Sequence, residues 1–324
     1  MEHANPNPHL LFAEEREVVA SIMISSSVIF MFFNLYIIKT IVFDKSLYNS
    51  ASYKFMIVLC LFDISQLIVH FITGILTVFQ TIGHPLLVKT LGVIATPSYI
   101  CYVLTTVILA FNRFVHLAVP KLDQALFSAK AIKLWTIGTI FCGFCFSVAL
   151  ASPYATIQYD VDRFAWFYDT KLPASYMVEQ IEMIVEIGGI FVFAGIYLLI
   201  VCFLCIWFSK SSFPFQDKVS VEVKLLVQSF LLASYCTALN WLWHKYPKTD
   251  LSCVALNLMW IFNGGLNPVI YLVINPTVRK TSRITISIIF AAQKKNQVIP
   301  TAAERKQEFK ETLARTTGKK VFVT

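Results

Sequence analysis

The sequence predicts an all-α membrane protein: a bundle of seven transmembrane helices, N-terminus outside, with a short interfacial helix after the seventh span. Three observations predict it. Of 324 residues, 57% are hydrophobic and only 14% charged, about half the charged share of an ordinary soluble domain. The apolar residues gather into seven blocks, near 18–41, 54–79, 90–117, 131–151, 178–208, 219–243 and 251–275, each at least about as long as the 20 residues needed to cross hydrocarbon. With the N-terminus outside, twenty-one Lys and Arg fall on the inner side and six on the outer, which satisfies the positive-inside rule.

Taken in order, the elements support one bundle, because the gaps between blocks are too short to fold alone. Residues 1–17 form an extracellular N-terminus. The first block follows Glu14, Glu15 and Glu17 rather than a basic stretch, and no small-residue cleavage site follows it, so it is expected to remain as a span rather than be removed as a signal peptide. The bundle occupies 18–275. Pro268 lies inside the seventh span, where it frees a backbone carbonyl, and Pro276 closes that span. Beyond it, Val278, Ile284, Ile288 and Ile289 alternate with Arg279, Lys280 and Arg283, a pattern suited to an interfacial helix over 276–290. A basic, polar cytoplasmic tail, 291–324, is expected to be mobile. The net charge of +8 is thus a property of the inner face. Attraction to anionic lipid accounts for it without nucleic acid.

Several chemistries are excluded. All eight cysteines fall inside the expected spans, giving no disulfide framework and no palmitoylation site in the tail. Cys142/Cys145 and Cys202/Cys205 lack further ligands converging on them, so no metal site is expected. The chain has no glycine-rich phosphate cradle, no His-Glu-x-x-His helix and no Gly-x-Ser-x-Gly elbow; neither an enzyme nor a cofactor is expected. A lysine for a retinal Schiff base is missing from Ser252 through Ile274.

Polar residues that a lipid-facing helix would not keep mark the candidate sites, since a buried ionisable group needs a partner, a cavity or a role. Asp63 sits near the middle of the second span. Asn263 and Asn267 lie one turn apart on the seventh, able to meet it across helices and to hold a cation or a water network; a hydrogen-bonded packing cluster is the plainer alternative. Arg113, after Asn112, ends the third span at the inner side, where it can reach a partner protein or lipid phosphate, or simply snorkel. Glu179, Glu182 and Glu186 form a stripe on the outer start of the fifth span. By position alone, Thr96, Tyr99, Glu182, Glu186, Asn257 and Trp260 are the candidate ligand pocket. A carboxylate facing it favours a cationic or hydrogen-bond-donating ligand.

The run Asn263-Gly264-Gly265-Leu266-Asn267-Pro268-Val269-Ile270-Tyr271 resembles the Asn-Pro-x-x-Tyr end of rhodopsin-like G-protein-coupled receptors. Asn34, Asp63, Arg113 and Trp135 resemble that family's landmark residues of helices one to four. The chain departs from the pattern at Asn112, which replaces the usual acid before the arginine, and at Val88, which stands where the external disulfide's cysteine would be. With Ser52-Tyr53-Lys54 and Phe111-Asn112-Arg113, the combination is similar to the nematode serpentine chemoreceptors, most of all class T, with class X the near rival.

The resemblance implies a plasma-membrane receptor that binds a small extracellular ligand and activates a heterotrimeric G protein at its inner face. A transporter or ligand-gated channel is the alternative. It implies that Arg113 and Asn112 form the coupling site, and that Asn34, Asp63, Asn263, Asn267, Pro268 and Tyr271 form an activation cluster holding sodium or water. Tyr102, bulky where the family often has a small hydroxyl residue, favours water over a sodium ion near Asp63. Asn112 offers only neutral hydrogen bonds, so raised basal signalling is expected unless another acid, Glu222 being the nearest candidate, compensates.

Overall fold

A computed structural model of the chain describes residues 16–210, 230–232, 234–244, 249–275, 277–282 and 310. Its long helices are α1 (Arg16–Phe43), α3 (Ala51–Val78), α4 (Pro85–Ala118), α6 (Ala129–Ala151), α7 (Ser175–Lys210), α8 (helical residues 230–232 and 234–244) and α9 (Asp250–Ile274), with the short helices α2 (Lys45–Tyr48) and α5 (Pro120–Leu126) in two connections. Six of the seven are long and apolar enough within the described residues to cross a membrane. The seventh is α8, whose expected first half, 219–229, lies outside the described residues. The chain is a seven-helix transmembrane bundle. Contacts divide it into residues 1–279, which contain the bundle, and residues 280–324.

Local chemistry sets the boundaries. Asp44 caps α2, accepting from the Ser46 and Leu47 amides. Ser128 caps α6 and Thr249 caps α9, while His84 accepts from the Leu86 amide ahead of Pro85 at the first turn of α4. Asn275 ends α9, and its side chain accepts from the Thr277 and Val278 amides at 3.1 Å each, starting a second helical stretch through residue 282. The rest of the expected interfacial helix, 283–290, and Pro276 lie outside the described residues.

The two central helices are α4 and α9, whose most apolar windows are each 67% buried, against 17% for α6. α1 packs on α3 and α9, and α4 packs on α3, α6 and α7. Helix α4 carries a proline that the sequence reading passed over. Pro97 has no N–H for the Val93 carbonyl, and Ser147 of α6 supplies the missing donor at 3.2 Å.

Residues 152–174 hold a feature that hydropathy did not predict, a two-stranded antiparallel hairpin of β1 (Ile157–Asp160) and β2 (Ala165–Tyr168), pairing Ile157 with Tyr168 and Tyr159 with Trp166. It touches α4, α7 and α9. The Tyr159 hydroxyl meets Thr77 of α3 at 2.8 Å and points at the Met23 sulfur of α1. Gly92 of α4 admits it closely: a Cβ there would stand 2.8 Å from the Ile157 carbonyl oxygen. Five helices therefore hold the hairpin across one end of the bundle, its Ile157, Phe164 and Trp166 side chains buried, with every described cysteine free.

Candidate functional site

Beneath the hairpin, α4, α7, α8 and α9 enclose a cavity of about 20 Å³, room for about one water. Thr96 and Tyr99 reach it from one face of α4, Glu182 and Glu186 from successive turns of α7, Asn240 and Trp243 from α8, and Trp260 from α9; Ile157 roofs it. Five of the six pocket candidates thus line one space. Asn257 does not: its amide points at the Met23 sulfur between α9 and α1.

Both carboxylates already have partners. Glu186 meets His244 Nε2 at 2.9 Å with both side chains 4% exposed, and the Tyr168 hydroxyl donates to Glu182 at 2.5 Å. Burial, reinforced by Glu182, pushes the Tyr168 hydroxyl well above the ordinary tyrosine range, so it remains a proton donor. Buried charge in a poor dielectric is tolerated only when paired in this way. Trp260 lies at the centre of the aromatic wall. Its indole N–H donates to Gln66 at 2.6 Å, and its ring meets His70, Tyr99 and Trp243 at centroid distances of 5.0–5.8 Å.

Deeper in the bundle, Tyr99 stacks on Tyr102, 5.9 Å between centroids. Asn267 donates to Tyr102 at 3.2 Å and to Asp63 at 3.0 Å, and Tyr271 donates to Asn267 at 3.4 Å. Asn263 joins differently, accepting from the Cys236 thiol at 3.3 Å. Asn34 stands apart from these: it donates at 2.8 Å to the Gly264 carbonyl, the acceptor that Pro268 leaves without an amide. Asp63 Oδ1 and Asn263 Nδ2, both fully buried, have no hydrogen-bond partner among the described residues, so the cluster has unfilled capacity for water or a small cation.

At the far end, Arg113 is half-buried, within electrostatic reach of Tyr271. Asn112 is buried and bridges two elements, its Oδ1 accepting from Ser52 of α3 at 2.7 Å and its Nδ2 donating to Asp123 of α5 at 3.2 Å. Asp123 also meets His116 at 2.8 Å. Among the described residues the acid that meets Asn112 is Asp123; Glu222, the acid expected from the sequence, lies outside the described residues.

Sequence reasoning missed Asn240, Trp243, His244, Tyr168 and Asp123. Asn240 and His244, one turn apart in an apolar span, carried the only available signal. Tyr168 and Asp123 lie in connections, where hydropathy is silent.

The family described as serpentine type 7TM GPCR chemoreceptor Srt matches residues 7–297. Curated proteins give no match. Among solved structures, the crystal structure of squid rhodopsin is similar with a TM-score of 0.72 and 14% identity, over 89% of this chain and 84% of that one; at that identity the likeness is one of fold.

Proposed function

This chain belongs to the Srt family of serpentine seven-transmembrane GPCR chemoreceptors, and from that premise we propose that it binds a small ligand in the cavity under the hairpin and signals through a heterotrimeric G protein engaged at Arg113. A member of this family is a multi-pass membrane receptor and not an enzyme, and the transporter or channel alternative falls away with it. The hairpin end is extracellular and the Arg113 end faces the cytoplasm; of the expected interfacial helix, 276–290, and tail, 291–324, only 277–282 and 310 are among the described residues. The distribution of Lys and Arg supports this orientation, and the plasma membrane is the compartment in which such a receptor meets its ligand.

The observation that carries the reading is continuity. Tyr99 lines the cavity and stacks on Tyr102; Tyr102 bonds Asn267, which holds Asp63 and Tyr271; Tyr271 lies within electrostatic range of Arg113. A ligand that moves Tyr99 moves the first member of this chain, which gives the two ends a physical means of coupling. Because Glu186 is met by His244 and Glu182 by Tyr168, the ligand class suited to the site is a hydrogen-bonding one rather than a cation in need of a bare carboxylate. The Asp63 cluster holds water, the Tyr102 hydroxyl occupying part of the space a sodium ion would need.

The test is a ligand screen in transfected cells with a promiscuous G-protein readout. With an active compound in hand, Arg113→Ala is expected to abolish the stimulated signal at unchanged surface expression. Normal coupling by that variant at equal expression would return Arg113 to a snorkelling role. Glu186→Gln, which keeps shape and changes the group that meets His244, is expected to lower potency by altering that hydrogen bond; an unchanged response shows that the carboxyl group of Glu186 takes no part in binding.

A further inference from the structure

Ile157 of the hairpin lies over the cavity, and the bundle offers a way in from the side. Between α7 and α8, on the lipid-facing side, lies a groove of about 920 Å³ walled by apolar side chains, Leu198, Phe230 and Trp241 among them, with the hydroxyls of Ser234 and Thr237 on its α8 wall. Phe193 and Thr237 also line a smaller cavity of about 30 Å³ with Tyr102, Gly189 and Cys236. Asn240 lines both that cavity and the pocket under the hairpin. The three spaces therefore follow one another inward, the first two sharing Phe193 and Thr237 as wall and the last two sharing Asn240. Asn240, 2% exposed, gives its Oδ1 to the Tyr99 hydroxyl at 2.6 Å, while its Nδ2 has no partner among the described residues. Thr96 Oγ1, in the pocket itself, likewise has none. A buried donor without an acceptor keeps its desolvation penalty uncompensated, and a ligand oxygen would remove that cost.

We propose that the ligand reaches the pocket sideways from the bilayer, through the α7–α8 groove past Phe193 and Thr237, and that it is a neutral, membrane-partitioning molecule with an apolar body and one oxygen acceptor, an alcohol, aldehyde or ketone, received by Asn240. This rests on the receptor reading above and adds the route and the ligand class. The apolar body suits the groove, whose walls are mostly apolar and uncharged, with Tyr197, Ser234, Thr237 and Trp241 as the residues that carry polar groups. Partitioning into lipid raises the local concentration of such a molecule at that face.

The full-length receptor in lipid nanodiscs, photolabelled with a diazirine-bearing long-chain alcohol and mapped by peptide mass spectrometry, tests the route. Expected is labelling of Tyr102, Cys236 and Asn240 that saturates and is competed by the unlabelled alcohol. Thr237→Trp, which fills the junction, is expected to cut the interior label about tenfold while leaving label on the outward helix faces unchanged. Ser234→Trp, farther out and exposed, should lower it in the same direction if Thr237→Trp does not fold. Gly138→Leu, in the α4–α6 groove where a Cβ would touch nothing, should have no effect if the α7–α8 groove is the route. Interior label that survives both tryptophan variants, or label confined to outward faces without saturation, overturns the proposal. No G protein is present in this measurement, so its failure removes the route and leaves the receptor reading to its own test.

Discussion

Asn112 does two things with one amide, holding Ser52 on one side and Asp123 on the other. From the sequence, restoring an acid with Asn112→Asp was expected to quiet a loosely latched receptor. The geometry reverses that expectation: the new carboxylate would face Asp123 across about 3 Å, with the exposed His116 on the far side of Asp123. Asn112→Asp should therefore raise basal signalling. Losing a hydrogen bond to a charged group costs about 2 kcal/mol, enough to shift a two-state equilibrium more than tenfold. Adding Asp123→Asn re-creates a donor and an acceptor with their roles exchanged, and the double variant should return basal signalling towards the original level. Ligand-free reporter activity at matched surface expression measures both, and a double variant as active as the single one removes the Asn112–Asp123 bond from the latch.

Among the helices, the prolines show one solution used twice. Each takes away an amide donor, at Val93 in α4 and at Gly264 in α9, and in each case a side chain from a neighbouring helix replaces it, Ser147 of α6 and Asn34 of α1. In hydrocarbon no water is at hand to do so. Asn34→Leu should leave the Gly264 carbonyl unbonded and destabilise the receptor by about 1–3 kcal/mol. Pro268→Ala restores the N–H within α9, so the double variant Asn34→Leu/Pro268→Ala should recover most of that loss. Thermal denaturation in detergent reads this as a double-mutant cycle; strict additivity would show that Asn34 acts elsewhere.

For the molecule as a whole, the hairpin is the deciding element, because it lies across one end of the bundle, over the cavity. It is held without a disulfide, by the Tyr159–Thr77 and Tyr168–Glu182 bonds, the close approach at Gly92 and the buried Trp166. Reductant should therefore leave both the melting temperature and ligand response of the receptor unchanged. A drop in either with dithiothreitol would show that a cysteine bridge contributes after all.

Hydropathy and charge alone determined the number of spans and the bundle they form, since the length needed to cross lipid and the sidedness of Lys and Arg are one-dimensional quantities. Motif spacing also singled out Asp63, Asn267, Arg113 and the Glu182/Glu186 stripe, because charge inside an apolar span stands out wherever it is read. Tertiary structure decided the partners. His244 meets Glu186 across 58 residues of sequence, Tyr99 meets Asn240 across 141, and Asp63 meets Asn267 across 204. Helix rotation and packing fix those meetings, and neither leaves a period in the sequence. The hairpin was invisible for a further reason. Its strands are four residues long, too short for a pattern, and what holds them is the surface of five helices they touch rather than any preference of their own.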